Sequence, residues 1–166
     1  MILCLVTDRR RLGAALGIDP GDWNDALRAQ IGAAAAAGVD RVQIREPDLE
    51  ARALADLVRL VVGDTRHTSC RILVNDRLDV ALATEAAGVH LKERSFATKA
   101  ARRLSPAGFL VGRSIHNQAA VGAAGDADYL IAGTVLPTVS KPSVPCLGWA
   151  GLAAVVGNEI GIFGWT

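Results

Sequence analysis

Short apolar runs alternate with amphipathic helical patterns along the whole chain, and this alternation constrains the fold most. The intervening segments carry apolar residues every three to four positions, as at Leu54, Leu57 and Val61. A repeat of strand and helix at intervals of roughly 20 to 35 residues predicts a parallel sheet with helical crossovers. The predicted strands are residues 2–6, 41–45, 71–74, 88–91, 109–112 and 129–132, with a doubtful seventh at 160–163.

Two α/β architectures fit this alternation, an open doubly wound sheet and a (β/α)₈ barrel. No Gly-x-Gly-x-x-Gly follows the first apolar run, which weakens a dinucleotide-binding sheet. A full barrel has eight strands and typically about 250 residues. A barrel of 166 residues would therefore be short, and the residue pattern alone leaves both architectures open. No linker or change of composition divides the chain, so a single domain spanning residues 1–166 is predicted.

Charge and the N-terminal segment exclude several classes of protein. The formal net charge is +1, from 18 basic and 17 acidic side chains, whereas nucleic-acid-binding domains usually show a strong basic excess. The first apolar run is too short for a signal peptide or a membrane span. We therefore expect a cytoplasmic protein without a nucleic-acid or membrane partner. Arg9, Arg10 and Arg11 are predicted to form a solvated loop.

Three cysteines, Cys4, Cys70 and Cys146, are widely spaced along the chain. No cluster of cysteine and histidine has the spacing of a metal site. The prediction is three free, buried thiols in a reducing compartment.

The segment after the apolar run 129–132 is rich in phosphate-binding side chains. It opens at Gly133 and holds Thr134, Thr138, Ser140 and Lys141. Hydroxyl groups and backbone N–H groups donate hydrogen bonds to a phosphate, and a lysine supplies positive charge. An ordinary surface loop is the alternative, because the segment matches none of the standard phosphate motifs.

Polar residues also end the second predicted strand. By alternation, Gln43 and Arg45 share one face, and in a barrel they would point inward. A buried amide and guanidinium need polar partners or a ligand. The alternative is an internal ion pair of Arg45 with Glu46 or Asp8.

Two further strands end in polar residues. Asn75 and Asp76 follow the third strand, where they are suited either to cap a helix or to bind a ligand. Ser114 and His116 follow the fifth strand, and His116 is placed either to act as an acid or base or to be a satisfied histidine without a catalytic role. All these residues lie after a strand and before a helix, where α/β folds place their sites.

Several motifs, in this order, resemble the thiamine phosphate synthase and TenI family. The resemblance implies a (β/α)₈ TIM-barrel fold. It spans nearly the whole chain, but the family's Gly-Gly loop after strand seven and its eighth strand would lie beyond Thr166. We therefore expect a barrel incomplete at its C-terminus, with six to seven strands, and a truncation or a frameshift after about Val156 or an incompletely determined chain would each account for it. The motifs are Val-Thr-Asp (6–8), Gly-Val-Asp-Arg-Val-Gln-Ile-Arg-Glu (38–46), Val-Asn-Asp-Arg-Leu-Asp-Val-Ala (74–81), Ala-Gly-Val-His-Leu (87–91), Gly-Arg-Ser-Ile-His (112–116) and Asp-Ala-Asp-Tyr-Leu-Ile-Ala-Gly-Thr-Val-Leu-Pro-Thr-Val-Ser-Lys-Pro (126–142).

The resemblance implies roles for the strand-end residues. In a synthase, a thiazole phosphate displaces the diphosphate of a hydroxymethylpyrimidine diphosphate with the help of Mg²⁺. By motif, the pyrimidine diphosphate would be bound by Gln43, Arg45, Asn75 and Ser114, the Mg²⁺ by Asp76, and the thiazole phosphate by Thr138, Ser140 and Lys141.

Two departures from the synthase pattern shape the functional expectation. Pro47 stands where the pattern has a lysine, and Ser95 stands where it has a second Mg²⁺-binding aspartate. The losses favour the TenI branch, whose thiazole phosphate isomerases need neither metal nor diphosphate. The first expectation is therefore an isomerase without a cofactor, with His116 as its catalytic acid or base.

The first alternative is a Mg²⁺-dependent thiamine phosphate synthase, and the second is a catalytically silent phosphate-binding barrel. In each case the predicted partner is a small phosphorylated thiazole. A homo-oligomer is also possible on this interpretation, because an incomplete barrel leaves strand edges unpaired.

Overall fold

The computed structural model describes residues 2–137, 146–156 and 162–164. The chain divides into two compact units, an N-terminal unit, Met1–Val89, and a C-terminal unit, His90–Thr166. The division leaves the predicted single domain a prediction. Both units repeat a strand followed by a helix, which confirms the α/β class.

The N-terminal unit contains three strands joined by helices. Strand β1 pairs with β2 and β2 with β3, all in parallel, with Val6 opposite Gln43 and Gln43 opposite Leu73. The elements are β1 (Cys4–Val6), α1 (Arg9–Leu16), a 3₁₀ helix (Pro20–Asp22), α2 (Trp23–Ala36), β2 (Arg41–Ile44), α3 (Ala51–Thr65), β3 (Arg71–Asn75) and α4 (Leu78–Ala83).

Helix α3 supplies much of the apolar core of this unit. Leu54, Leu57, Val58 and Val61 recur at helical spacing, and all four are buried. Gly63 favours a helix end at that position, but helix α3 continues to Thr65. Thr65 is also buried, and its hydroxyl donates to the Val61 carbonyl at 2.8 Å, which stabilises the last turn.

The basic run at residues 9–11 begins helix α1, so the prediction of a solvated loop there is wrong. Asp8 caps the helix by accepting a hydrogen bond from the Arg11 N–H at 3.0 Å. Gly17 ends it in the left-handed conformation, with φ of 65°. These two signals stand in the sequence on either side of the helix.

The C-terminal unit repeats the same pattern. Strand β4 (Gly88–Leu91) crosses the boundary between the units, and β5 pairs with β6 and β6 with β7 in parallel. Helices α6 and α7 pack around a core that includes Ile115, Leu130 and Val155. The remaining elements are α5 (Thr98–Leu104), β5 (Leu110–Ile115), α6 (Ala119–Ala124), β6 (Tyr129–Ala132), α7 (Gly148–Val156) and β7 (Ile162–Gly164).

Strand β5 is three residues longer at its end than the apolar run predicts. It continues past Gly112 because Ile115 is buried and pairs with Ala132. Ser114 consequently lies within the strand, and His116 follows its last residue.

None of the three cysteines forms a disulfide, as predicted, but they are not all buried. Cys4 and Cys70 are half-buried and Cys146 is exposed. Burial raises the pKa of the Cys4 thiol, and burial also raises the pKa of Cys70. Among the described residues, none of the helices is both long and apolar enough to span a membrane.

Candidate active site

Gln43 is the most distinctive polar residue of the N-terminal unit. It is only 4% exposed, as its inward direction predicts. Its Nε2 donates to Asn75 Oδ1 at 2.9 Å, which fixes the orientation of both amides. Its buried Oε1 accepts no hydrogen bond from any residue that the structure describes. An unpaired buried acceptor is costly, so a ligand that donates to this oxygen would stabilise the site.

Arg45, two residues further along the chain, has an exposed side chain. It makes no ion pair within residues 2–137, so the alternative of an internal pair with Glu46 or Asp8 is wrong. Glu46 is instead bonded to the Thr7 hydroxyl at 2.6 Å and to the Arg9 N–H at 3.1 Å. The guanidinium of Arg45 is therefore accessible to an anion.

The residues around Glu46 hold the start of the β2–α3 loop. Thr7 Oγ1 accepts the N–H of Arg45 at 2.9 Å and donates its own proton to Glu46. The Arg9 guanidinium pairs with Asp48 and lies 5.6 Å from the Trp23 ring centroid, a cation–π contact. Burial raises the pKa of the Glu46 carboxyl, and the hydrogen bonds from Thr7 and Arg9 only partly oppose this shift.

Asp76 has a positive φ of 62°, in the left-handed region that non-glycine residues rarely adopt. Such strain is retained where the surrounding structure requires it, often at functional sites. The N-cap of helix α4 is Arg77, whose side chain makes no capping bond. The choice between capping and ligand binding for Asn75 and Asp76 stays a prediction.

In the C-terminal unit, Ser114 is bonded to a histidine that the motifs left without a defined role. His90 Nε2 lies 2.8 Å from Ser114 Oγ, and His90 Nδ1 lies 3.2 Å from Tyr129 Oη. His90 and Tyr129 are each 2% exposed, whereas Ser114 is half-buried. The sequence signal for this arrangement is weak, because the three residues come from three different strands.

Arg113 organises the loop between β4 and α5. This buried guanidinium donates to the backbone carbonyls of Glu93, Phe96 and Ser95 at 2.7, 2.9 and 3.1 Å. The Ser95 hydroxyl accepts the Lys92 N–H at 3.0 Å. The residue in place of the second metal aspartate therefore stabilises a turn in this loop.

His116 is exposed at the end of β5. Its Nδ1 contacts the Gly133 carbonyl, and its Nε2 lies 3.9 Å from Glu93 Oε2. A catalytic role for His116 stays a prediction.

The predicted phosphate residues Thr138, Ser140 and Lys141 lie outside the described residues. On either side of them the chain is joined by backbone hydrogen bonds. The N–H groups of Leu147 and Gly148 donate to the carbonyls of Thr134 and Val135, both at 2.9 Å. Thr134 itself is buried, and it belongs to this support.

A Mg²⁺ ion would find one suitable carboxylate among the predicted ligands. Mg²⁺ is commonly held by one or two carboxylates together with substrate phosphates. Asp76 is half-buried and supplies such a group, whereas Ser95 offers only a hydroxyl that is already bonded. Among the described residues, no three acidic, histidine or cysteine side chains converge on a metal position. The donor set fits an ion held chiefly by a bound diphosphate.

Comparisons with known proteins agree with the motifs. A relative from Geobacter sulfurreducens is 43% identical over 141 residues, which are 84% of this chain and 62% of its own length. The thiamine-phosphate synthase of Coprothermobacter proteolyticus is 39% identical over 124 residues, 74% of this chain and 59% of the relative. The structure of a thiamine phosphate pyrophosphorylase from Pyrococcus furiosus matches with a TM-score of 0.78 and 27% identity, covering 98% of this chain and 73% of that one.

These matches bear on both the fold alternatives and the functional expectation. The likeness to the Pyrococcus protein confirms the TIM-barrel family, with seven strands among the described residues. The expectation of a TenI-branch isomerase is wrong, because these relatives are named synthases. The chain spans 59% to 65% of the length of the first relatives that it matches. The family model described as thiamine monophosphate synthase matches residues 5–162, and the chain belongs to that family.

Proposed function

We propose that the chain acts as a thiamine phosphate synthase. In this reaction the thiazole nitrogen forms a bond to the methylene carbon of hydroxymethylpyrimidine diphosphate. The carbon–oxygen bond to the diphosphate breaks, and its electron pair leaves with the pyrophosphate. Family membership and the names of the relatives support this transferase reaction.

The observation that carries the proposal is the buried, unpaired Oε1 of Gln43. An aminopyrimidine presents an N–H donor, which is the group that this acceptor lacks. The bond from Gln43 to Asn75 holds the acceptor in place before a ligand arrives. Such preorganisation lowers the entropy cost of binding.

The diphosphate would be bound by the neighbouring polar groups. Arg45 has an exposed guanidinium, which suits an anion because its N–H donors match phosphate oxygens. Asn75 accepts from Gln43 through Oδ1, so its Nδ2 group is directed elsewhere as a donor. These two residues would bind and orient the leaving group.

Asp76 would hold a Mg²⁺ ion together with the diphosphate. When bound, this ion neutralises the charge that develops on departing pyrophosphate. The half-buried carboxylate and the positive φ of Asp76 support its selection as a ligand.

The thiazole phosphate would be held by Thr138, Ser140 and Lys141. Their support is the pair of hydrogen bonds from Leu147 and Gly148 to Thr134 and Val135, which keeps the flanking segments together. Holding the flanking segments together reduces the conformational entropy lost when the residues between them bind a ligand. A cytoplasmic location and a homo-oligomer remain predictions.

A turnover assay tests the proposed function. The full chain is incubated with both substrates and Mg²⁺, and thiamine phosphate and pyrophosphate are quantified. We expect equal amounts of the two products and a loss of about 100-fold or more in Asp76→Ala, since the leaving group then lacks its counter-charge. Arg59→Ala is the matched control, because within the described part of the chain Arg59 pairs only with the exposed Asp56 on α3.

Three results would contradict the proposal. One is the absence of thiamine phosphate at any enzyme concentration, and another is turnover that does not require Mg²⁺. The third is an equal loss in Arg59→Ala and Asp76→Ala, which would indicate a general effect on folding. Binding of pyrimidine diphosphate without turnover would instead identify a silent phosphate-binding protein.

A further inference from the structure

The C-terminal unit contains a chain of three hydrogen-bonding side chains, Tyr129, His90 and Ser114. His90 separates the other two, with one ring nitrogen toward each. The tyrosine and histidine rings stack with centroids 5.6 Å apart and an interplanar angle of 29°. Only Ser114 is more than marginally exposed, so the chain runs from the interior to an accessible hydroxyl.

Gly112 makes room for this arrangement. It pairs directly with Tyr129 across β5 and β6. A Cβ atom at position 112 would lie 2.0 Å from Tyr129 Cζ and 2.3 Å from its hydroxyl oxygen. The tyrosine ring therefore lies against the backbone of β5, where its hydroxyl reaches His90. Position 112 must therefore lack a side chain for Tyr129, His90 and Ser114 to be hydrogen-bonded in this way.

The ring nitrogen of His90 that carries the proton determines whether the Ser114 hydroxyl is able to donate a hydrogen bond to a substrate. A neutral histidine has one N–H donor and one acceptor nitrogen. If Nε2 carries the proton, it donates to Ser114 Oγ, and Nδ1 accepts from the Tyr129 hydroxyl. The Ser114 hydroxyl is then free to donate to an acceptor. The other tautomer would use the Ser114 proton within the protein.

We propose that Tyr129 holds His90 in the Nε2–H tautomer, so that the Ser114 hydroxyl is oriented as a hydrogen-bond donor to the phosphorylated substrate. His90 and Tyr129 are positioning residues, and Ser114 is the residue that touches the substrate. A phosphorylated substrate presents anionic oxygens, which accept hydrogen bonds and do not donate them. The catalytic part of the inference rests on the proposed synthase function, whereas the tautomer does not.

Nitrogen-15 NMR tests the tautomer without any substrate. The chain contains three histidines, and the signals lost in His90→Gln identify His90. We expect a protonated Nε2 and an unprotonated Nδ1 at neutral pH, and a mixture of tautomers in Tyr129→Phe. A protonated Nδ1, or signals unchanged in Tyr129→Phe, would overturn the proposal.

Kinetics tests the positioning role. Tyr129→Phe keeps the ring over Gly112 and removes one hydroxyl, so kcat is expected to fall by about 5-fold while KM changes by less than about 2-fold. In a Ser114→Ala background the same substitution should have no further effect, because the hydroxyl that it orients is gone. An undiminished effect in that background would show a structural role and overturn the proposal.

A second pair of variants separates the two ring nitrogens. His90→Gln places an amide near the Nε2 position and is expected to keep more activity than His90→Asn, whose amide falls near Nδ1. Equal losses in the two variants would contradict the proposal. If the wild-type chain forms no thiamine phosphate, the proposed function has failed, and the NMR spectrum alone decides the tautomer.

Discussion

The polar residues at the strand ends differ between the two units in their hydrogen-bond partners. In the N-terminal unit, Gln43 keeps a buried oxygen with no donor among the described residues, and Arg45 keeps an exposed guanidinium. In the C-terminal unit, Ser114 is already bonded to His90, and Arg113 is bonded to three backbone carbonyls. The first unit has open positions for a ligand, whereas the second has hydrogen bonds that organise its residues in advance. Polar residues at the strand ends of one fold therefore differ in whether a described partner within the protein is already bonded to them.

The largest effect is expected from adding one methyl group at Gly112, which would disrupt the hydrogen bonds among Tyr129, His90 and Ser114. Gly112→Ala forces Tyr129 away from β5, and we expect a loss of about 3 kcal/mol in the free energy of unfolding. Gly122→Ala is the matched control, because a Cβ there meets no atom within 4 Å and the residue lies in helix α6. The control should gain about 0.5–1 kcal/mol. Denaturant unfolding measures both values, and equal stabilities would contradict the role of Gly112.

Removing the Glu46 carboxylate should destabilise the start of the β2–α3 loop in the N-terminal unit. Glu46→Ala leaves Thr7 and the Arg9 N–H without their acceptor, and a loss of about 2–3 kcal/mol in unfolding free energy is expected. Asp56→Ala is the control, since its pair with Arg59 is exposed and worth less than about 0.5 kcal/mol. A loss in Glu46→Ala no larger than in the control would show that this carboxylate does not support the loop.

Arg113→Lys should loosen one loop with a smaller effect on stability. Lysine keeps the charge but lacks the planar fork of donors, so the carbonyls of Glu93, Ser95 and Phe96 lose partners. We expect a loss of about 1–2 kcal/mol and faster amide hydrogen exchange confined to residues 92–98. Arg103→Lys, an exposed position in α5, should change neither. Unchanged exchange in Arg113→Lys would contradict the organising role.

The smallest expected effect is a pH dependence from Glu46. Burial raises the pKa of this carboxyl above its ordinary value of 4.5. Between about pH 4.5 and the raised pKa, the folded state binds the proton more tightly than the unfolded state. The free energy of unfolding therefore falls as pH rises from about 4.5 through the raised pKa. The difference between wild type and Glu46→Gln, followed by thermal unfolding across pH, isolates this contribution. If wild type became more stable relative to Glu46→Gln as pH rises, the result would contradict this prediction.

The elements could largely be predicted, because they follow from local periodicity. The apolar run in β6 gave a strand at its predicted position, and the apolar spacing at Leu54, Leu57 and Val61 gave a helix, α3. Helix α1 was missed because three arginines look like a solvated loop, and its cap at Asp8 is a weaker signal. The end of β5 was missed because its extension depends on pairing with Ala132, a contact distant in sequence.

The candidate site was predictable only where polar residues lie in or just after the last residues of strands. Gln43 and Asn75 were singled out separately from their motifs, and the structure joins them by a hydrogen bond. Glu46 was considered only as an ion-pair partner of Arg45, and Arg113 and Tyr129 were not given roles, because the partners of these supporting residues come from other strands and loops. Alternation along one strand gives the direction of a side chain but does not identify what it meets.

Binding of hydroxymethylpyrimidine diphosphate tests the central claim most directly, that the open acceptor of Gln43 belongs to a ligand site. Isothermal titration with Mg²⁺ present compares wild type, Gln43→Ala and Arg59→Ala. We expect one site in wild type and Arg59→Ala, and affinity reduced by about 10-fold or more in Gln43→Ala with the unfolded fraction unchanged. Equal affinity in all three proteins, or no binding in wild type, would contradict the account.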